Sequence, residues 1–172
     1  MPLLALRATR RSYRILVEPW LSAPEHLIIY TDGSRRIYGG RKRVGAGVVA
    51  YRMGREVDSF VRGLADGADD YDGEVAALEL AALFAVNYVK DYPRVHHIHF
   101  FSDHMSAVEA VFSLKGSRIF YECICAALDG DKGLEVDLAW CPGHKAIVGN
   151  QRADSLAKIA SAETFWTPPG TR

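Results

Sequence analysis

Four acidic residues stand where strands or helices begin or end rather than at salt-bridge spacing: Asp32, Glu74, Asp103 and Asp154. Taken singly, each has an ordinary use. Asp32 suits a turn, Glu74 the positive end of a helix dipole, Asp103 an N-cap and Asp154 a solvated helix face. Taken together they point to metal chemistry, because carboxylates held close repel one another and such a group is stable chiefly around divalent cations. Mg²⁺ takes oxygen ligands and bridges to phosphates. Two such ions about 4 Å apart serve the in-line displacement of a phosphodiester.

The elements that must position these acids follow from hydrophobic pattern. Leu27 to Tyr30 reads as a buried strand that stops at the turn signal Asp32-Gly33-Ser34. Val44 to Arg52 and Glu56 to Gly63 are two further strands joined by a tight turn at Met53-Gly54-Arg55, so the first three form an antiparallel meander. From Glu74 to Val89 the apolar positions recur at helical spacing until Pro93 forbids continuation. His96 to Phe101 returns to strand character, and Ser102-Asp103 offers an N-cap for a helix over Met105 to Leu114. Gly116-Ser117 separates that helix from another at Ile119 to Leu128, Leu134 to Cys141 is a fifth strand, and Asn150 caps a last helix carrying Leu156, Ile159 and Ala160. The order β-β-β-α-β-α-α-β-α defines an α/β class with a mixed sheet covered by helices on both faces. If strands one and four are parallel neighbours, Asp32 and Asp103 leave the same carboxyl edge, where open α/β sheets bind ligands.

The segments Tyr30-Thr31-Asp32-Gly33-Ser34, Glu74-x-x-Ala77, Phe101-Ser102-Asp103, Trp140-Cys141-Pro142-Gly143-His144 and Gly149-Asn150-Gln151-Arg152-Ala153-Asp154-Ser155-Leu156-Ala157 occur in this order. Over about residues 27 to 162 the chain thereby resembles ribonuclease H, most closely the RNase H domains of retrotransposon reverse transcriptases. The G-H-x-x-x-x-G-N-x-x-A-D block is the specific part. The resemblance implies an RNase H-like fold with a five-stranded mixed sheet of order 3-2-1-4-5. It implies an endoribonuclease that hydrolyses the RNA strand of RNA/DNA hybrids and leaves a 3′-hydroxyl and a 5′-phosphate. Asp32, Glu74, Asp103 and Asp154 would hold two Mg²⁺ or Mn²⁺ ions, and His144 would assist proton transfer or product release. Substrate contacts are expected from Gly33, Ser34, Arg35, Arg36, Lys145 and Asn150. The alternative reading is a module that kept the fold for nucleic-acid binding or scaffolding without turnover.

The sequence departs from the family in two places. His104 and Met105 follow the third aspartate, where Ser and then Gln or Tyr are usual, and Asp70-Tyr71-Asp72-Gly73 precedes Glu74, where Thr or Asn would meet a phosphate and a 2′-hydroxyl. Acids there repel phosphate. No long basic handle follows Asp103, so a tethered reverse transcriptase domain or another partner would add to the affinity for hybrid.

The chain has 172 residues, 49% of them hydrophobic and 24% charged, the composition of a globular domain large enough to fold without disulfide or zinc staples. Its 21 basic and 21 acidic residues balance, so a polyanion must be held by a local patch. Arg35, Arg36, Arg41, Lys42 and Arg43 form one around Gly39-Gly40, and Asp66, Asp69, Asp70, Asp72 and Glu74 form its acidic counterpart. The division expected is an N-terminal extension over 1–24, a catalytic domain over 25–163 and a tail over 164–172. Cys123, Cys125 and Cys141 lack metal or disulfide spacing and read as small buried residues of a reducing compartment, cytoplasm or nucleus. The arginines of the extension suit an organelle transit peptide or a basic arm as well as an ordinary solvated leader. No apolar run is long enough for a membrane span. Ala68 to Glu79 has part of an EF-hand pattern but lacks its first ligand. His97 and His99 share a strand face without an evident third metal ligand, which favours a packed or paired role.

Overall fold

The computed structural model describes residues 4–7, 13, 17–112, 118–130, 133–143 and 146–162. Among these residues, six strands form one sheet: β1 (Leu4–Arg7), β2 (His26–Tyr38), β3 (Arg41–Arg52), β4 (Arg55–Gly63), β5 (His97–Ser102) and β6 (Glu135–Trp140). Their spatial order is β1-β6-β5-β2-β3-β4. The five strands β2 to β6 thus stand in the order 3-2-1-4-5, and a short strand from the N-terminal extension adds a parallel edge beside β6. β2, β5 and β6 run parallel, whereas β3 and β4 return antiparallel.

Among the described residues, four α-helices cover the sheet: α1 (Asp70–Asp91), α2 (Met105–Phe112), α3 (Arg118–Gly130) and α4 (Val148–Ala160). Alternation along β2 assigns its residues to two cores. Leu27 and Ile29 pack with α1 through Ala77, Ala81 and Ala85, and with Phe120 and Ile124 of α3. Ile28 and Tyr30 face the other way, toward Ala153 and Leu156 of α4 and toward Tyr13 and Val17 of the N-terminal extension. The small residues of α1 and α4 let both helices lie close to the sheet. Burial of both β2 faces explains why its sequence is a continuous apolar run rather than an alternating one.

Three local expectations change. The strand expected to stop at Asp32-Gly33-Ser34 continues to Tyr38, because those residues pair in unbroken register with Gly47, Ala46 and Gly45 of β3. The turn falls instead at Gly39-Gly40, where both φ angles are positive. α1 begins at Asp70, four residues before the expected start, because Asp69 and Asp72 form a reciprocal capping box. The EF-hand-like segment is therefore helix, and Glu74 lies in the second turn rather than the first. Cys141 is buried as expected, whereas Cys123 and Cys125 are half-buried on α3, and all three are free thiols. No helix among the described residues is long and apolar enough to cross a membrane.

Candidate active site

β2 and β5 are parallel neighbours whose pairing ends at Thr31 and Ser102, so the next residue of each stands at the same edge, Asp32 still paired with β3 and Asp103 just past the end of β5. Glu74 is brought to them by the approach of α1 onto β2. That approach requires Gly33, since a Cβ there would lie 2.6 Å from the Glu74 backbone nitrogen and 2.8 Å from the Gly73 carbonyl carbon. Carboxylate oxygens of Asp32, Glu74 and Asp103 lie within 4.8 Å of one another. Asp32 and Glu74 are 6% and 4% exposed, too little for water to screen their charges.

Burial, followed by the charges of Glu74, Asp103 and Asp154, pushes the Asp32 carboxyl up to about 9. Burial pushes Glu74 up to about 8, against the opposing effect of the Gly33 N–H, while Asp103 adds repulsion. The Asp32 and Glu74 carboxyls share a hydrogen bond, the arrangement expected when two buried acids have one proton between them. Without a cation, then, the cluster meets its own repulsion by retaining protons.

Neutral donors orient the acids. The Ser102 hydroxyl donates to Glu74 Oε2 at 3.3 Å and accepts from the His104 backbone N–H at 3.1 Å. Asn150 Nδ2 donates to Asp103 Oδ2 at 3.0 Å, and Asn150 Oδ1 accepts from the buried Cys141 thiol at 3.4 Å. The Trp140 indole N–H donates to the Asp103 carbonyl at 2.9 Å. Ser102 was not anticipated as a site residue, although its position directly before Asp103 on a strand end is the signal that could have found it.

The remaining candidates divide. Asp154 is half-buried on α4 and close enough to raise Asp32, but it lies outside the group of three and its Oδ2 is held by Lys158 Nζ at 2.6 Å. Asn150 neither caps α4 nor meets solvent; it is 3% exposed and turned onto Asp103, while the helix begins at Val148 without a side-chain cap. Asp103 does not cap α2 either. His104 does so through Nδ1, which accepts from the Ala107 N–H at 3.2 Å, and this leaves Asp103 to the cluster. Arg35 is tied to Asp70 at 3.2 Å, Arg36 donates to the Tyr38 hydroxyl at 3.3 Å, and Ser34 is half-buried opposite Gly45. His144 and Lys145 lie outside the described residues. Gly143, just before them, is so near Asp103 that a Cβ would stand 2.5 Å from Asp103 Oδ2.

Three buried or half-buried oxygen ligands, oriented by neutral donors, suit a hard divalent cation such as Mg²⁺ or Mn²⁺ better than a soft one. The RNase H family model matches residues 24–162. Solved structures with the same fold include LC11-RNase H1, isolated from compost by a metagenomic approach, at 20% identity and TM-score 0.62 over 83% of this chain and 99% of that one. Another is the N-terminal RNase H domain of a Mycobacterium tuberculosis protein, at 18% identity and TM-score 0.56 over 79% of this chain and 93% of that one. The prototype foamy virus protease-reverse transcriptase matches at 20% identity and TM-score 0.58, over 79% of this chain and 21% of the viral one. No curated protein matches the chain in sequence.

Proposed function

The chain belongs to the RNase H family, and on that premise we propose that it hydrolyses the RNA strand of RNA/DNA hybrids with two Mg²⁺ or Mn²⁺ ions, leaving a 3′-hydroxyl and a 5′-phosphate. The observation that carries this reading is the group Asp32, Glu74 and Asp103, gathered within 4.8 Å. Bound divalent cations would neutralise these acids and supply Lewis acidity to an attacking water and a leaving oxygen.

The chain's own residues have separable parts in this. Asp32 and Glu74 must release the proton they share before both can act as ligands. The Gly33 N–H and Ser102 hydroxyl fix the Glu74 carboxylate, and Asn150 fixes that of Asp103, so little reorganisation is needed on binding. Asp154 would serve as the fourth ligand if released from Lys158, and its half-exposed place on α4 suits an exchangeable position. His144, one residue past Gly143, is assigned proton transfer or release of the product. Gly33, Ser34, Arg35, Arg36 and Lys145 are assigned to substrate contact, whereas Asn150 acts through Asp103 as a positioning residue. A tethered reverse transcriptase domain is a proposed partner that adds affinity for the hybrid.

The test is cleavage of a labelled hybrid in Mg²⁺ by wild-type protein and by Asp103→Asn in parallel. Cleavage by the wild type alone supports the reading. Equal cleavage by both removes it, and hybrid binding without metal-dependent cleavage removes it in favour of a scaffold module.

A further inference from the structure

Past the carboxylate edge, β2 and β3 lose their neighbours. β5 pairs with β2 only as far as Thr31, and β4 pairs with β3 only as far as Gly45. The strands nevertheless stay paired with each other out to Tyr38 and Arg41. The result is a two-stranded ribbon turned at Gly39-Gly40, around which an added Cβ would meet nothing within 4 Å. Its base is held by the Arg35–Asp70 and Arg43–Asp66 ion pairs and by buried Val44, whereas residues 36–42 are mostly exposed. The ribbon also places Arg36 directly opposite Arg43, with Arg41 one alternate position away on the same face. Like charges across a strand pair are destabilising. Five of the chain's 21 basic residues fall between Gly33 and Val44, and none of its acids.

The unbroken register fixes the faces. Asp32, Ser34, Arg36 and Tyr38 alternate along one face of β2, with Arg41 and Arg43 across from them, while Arg35, Ile37 and Lys42 take the other. Of the arginines on the Asp32 face, Arg43 is 6% exposed and lies 3.7 Å from Asp66, whereas Arg36 and Arg41 are exposed. At about 3.4 Å per residue, Arg36 stands about 14 Å and the Tyr38–Arg41 pair about 20 Å along the strand from Asp32. A duplex lying along that face would present phosphates about four to six base pairs from the reacting bond. The other flank of the site is acidic: Asp69 and Asp72 are closed into the capping box, and Asp70 holds Arg35.

We propose that this face of the ribbon, through Arg36 and Arg41, is a second anchoring surface for the backbone of a nucleic-acid duplex, remote from the carboxylates and favoured by the exclusion of phosphate from the acidic start of α1. The proposal rests on the RNA/DNA hybrid being the substrate. The ribbon contributes position and affinity rather than chemistry.

The experiment compares Arg36→Gln/Arg41→Gln with Lys42→Gln, which alters the opposite face, on two hybrids. One extends at least eight base pairs past the cleavage site on the ribbon side, and the other ends within three. For the long hybrid the double variant should raise KM about tenfold with kcat retained, and lower the slope of log affinity against log salt by about two. Lys42→Gln should change both less, and on the short hybrid the double variant should raise KM clearly less than on the long one. Unchanged KM and salt slope on the long hybrid, an equal loss on both hybrids, or a loss in kcat alone would overturn the proposal. Arg36→Lys/Arg41→Lys keeps the charges and should restore binding, which separates lost contact from lost fold. The same anisotropy titrations in Asp103→Asn protein test the ribbon without turnover. If hybrid cleavage fails while binding still depends on the ribbon face, the hydrolytic reading falls and the anchoring surface stands.

Discussion

β2 and β5 carry a cluster of ionisable side chains at each end, and the two clusters handle crowding in opposite ways. At the carboxyl end, Asp32, Glu74 and Asp103 are all acceptors once ionised, so the group is satisfied only by retaining protons or by binding cations. At the amino end, strand pairing puts His26 opposite His97, with His99 two residues on along the same face of β5. A neutral imidazole is both donor and acceptor, and His26 Nδ1 and His99 Nε2 meet at 2.8 Å between rings coplanar within 9°. Carboxylates also stand by: Glu135 is 3.1 Å from His97 Nδ1, and Asp137 is 3.0 Å from His99 Nδ1. The latter contact is not aligned for a hydrogen bond. Trp20 covers His99 with its rings 3.8 Å apart. One end answers its crowding largely with partners from the chain itself; the other answers it with protons or a cation.

The sharpest way to break this contrast is Asp103→Asn. Hybrid cleavage should fall by about a thousandfold or more. Metal-free protein should melt about 2–4 °C higher, because a repelling charge worth about 1 kcal/mol has gone. A drop in melting temperature would mean that the acids are held together for stability. Next in size is Gly33→Ala, whose Cβ meets backbone rather than a flexible side chain. It should displace α1 from β2, costing about 2–3 kcal/mol in denaturant unfolding and about a hundredfold in cleavage as Glu74 moves.

The carboxylate end should also show in the pH dependence of stability measured with a chelator present. Asp32 and Glu74 rise in the folded state from 3.8 and 4.5 to about 9 and about 8, so the folded protein binds more protons than the unfolded chain between those limits. Stability is therefore lost as pH rises through that window. Mg²⁺ should restore more of it at pH 8 than at pH 5, and an equal shift at both would contradict a cation-requiring cluster.

Much of this architecture was legible because period and order are local properties. The apolar run Leu27 to Tyr30 and the helical recurrence of Ala77, Ala81 and Phe84 survive in the structure, but of the four acids only Asp103 stands at an element end, since Asp32 lies within β2, Glu74 in the second turn of α1 and Asp154 midway along α4. Errors arose where a residue serves a distant partner. Asp32-Gly33-Ser34 has the composition of a turn, yet Gly33 is there for the close approach of a helix about forty positions later in the chain. Asn150 has the look of a helix cap, but its amide answers Asp103 from another element. His26 completes the histidine group only through strand pairing with His97. β1 was missed because a four-residue parallel edge strand carries no turn and no periodic signal of its own.

Changes at the histidine end should leave the chemistry intact. Trp20→Ala removes the stack over His99 and a partly buried indole that packs against the second core, so stability should fall by about 2 kcal/mol with kcat for hybrid cleavage retained. The smallest effect is expected from His26→Phe. Burial, then the neighbouring His99 and His97, lowers the His26 pKa from 6.5, so the folded protein binds fewer protons than the unfolded chain just below that value. Stability contributed there is present above pH 6.5 and is lost as pH falls, the reverse of the carboxylate end. Phenylalanine keeps a flat ring beside Trp20 and His97 but cannot titrate, so the acid limb of the stability curve should flatten while the alkaline limb stays. If both limbs change together, the two ends of β2 and β5 are one electrostatic unit and the contrast between them fails.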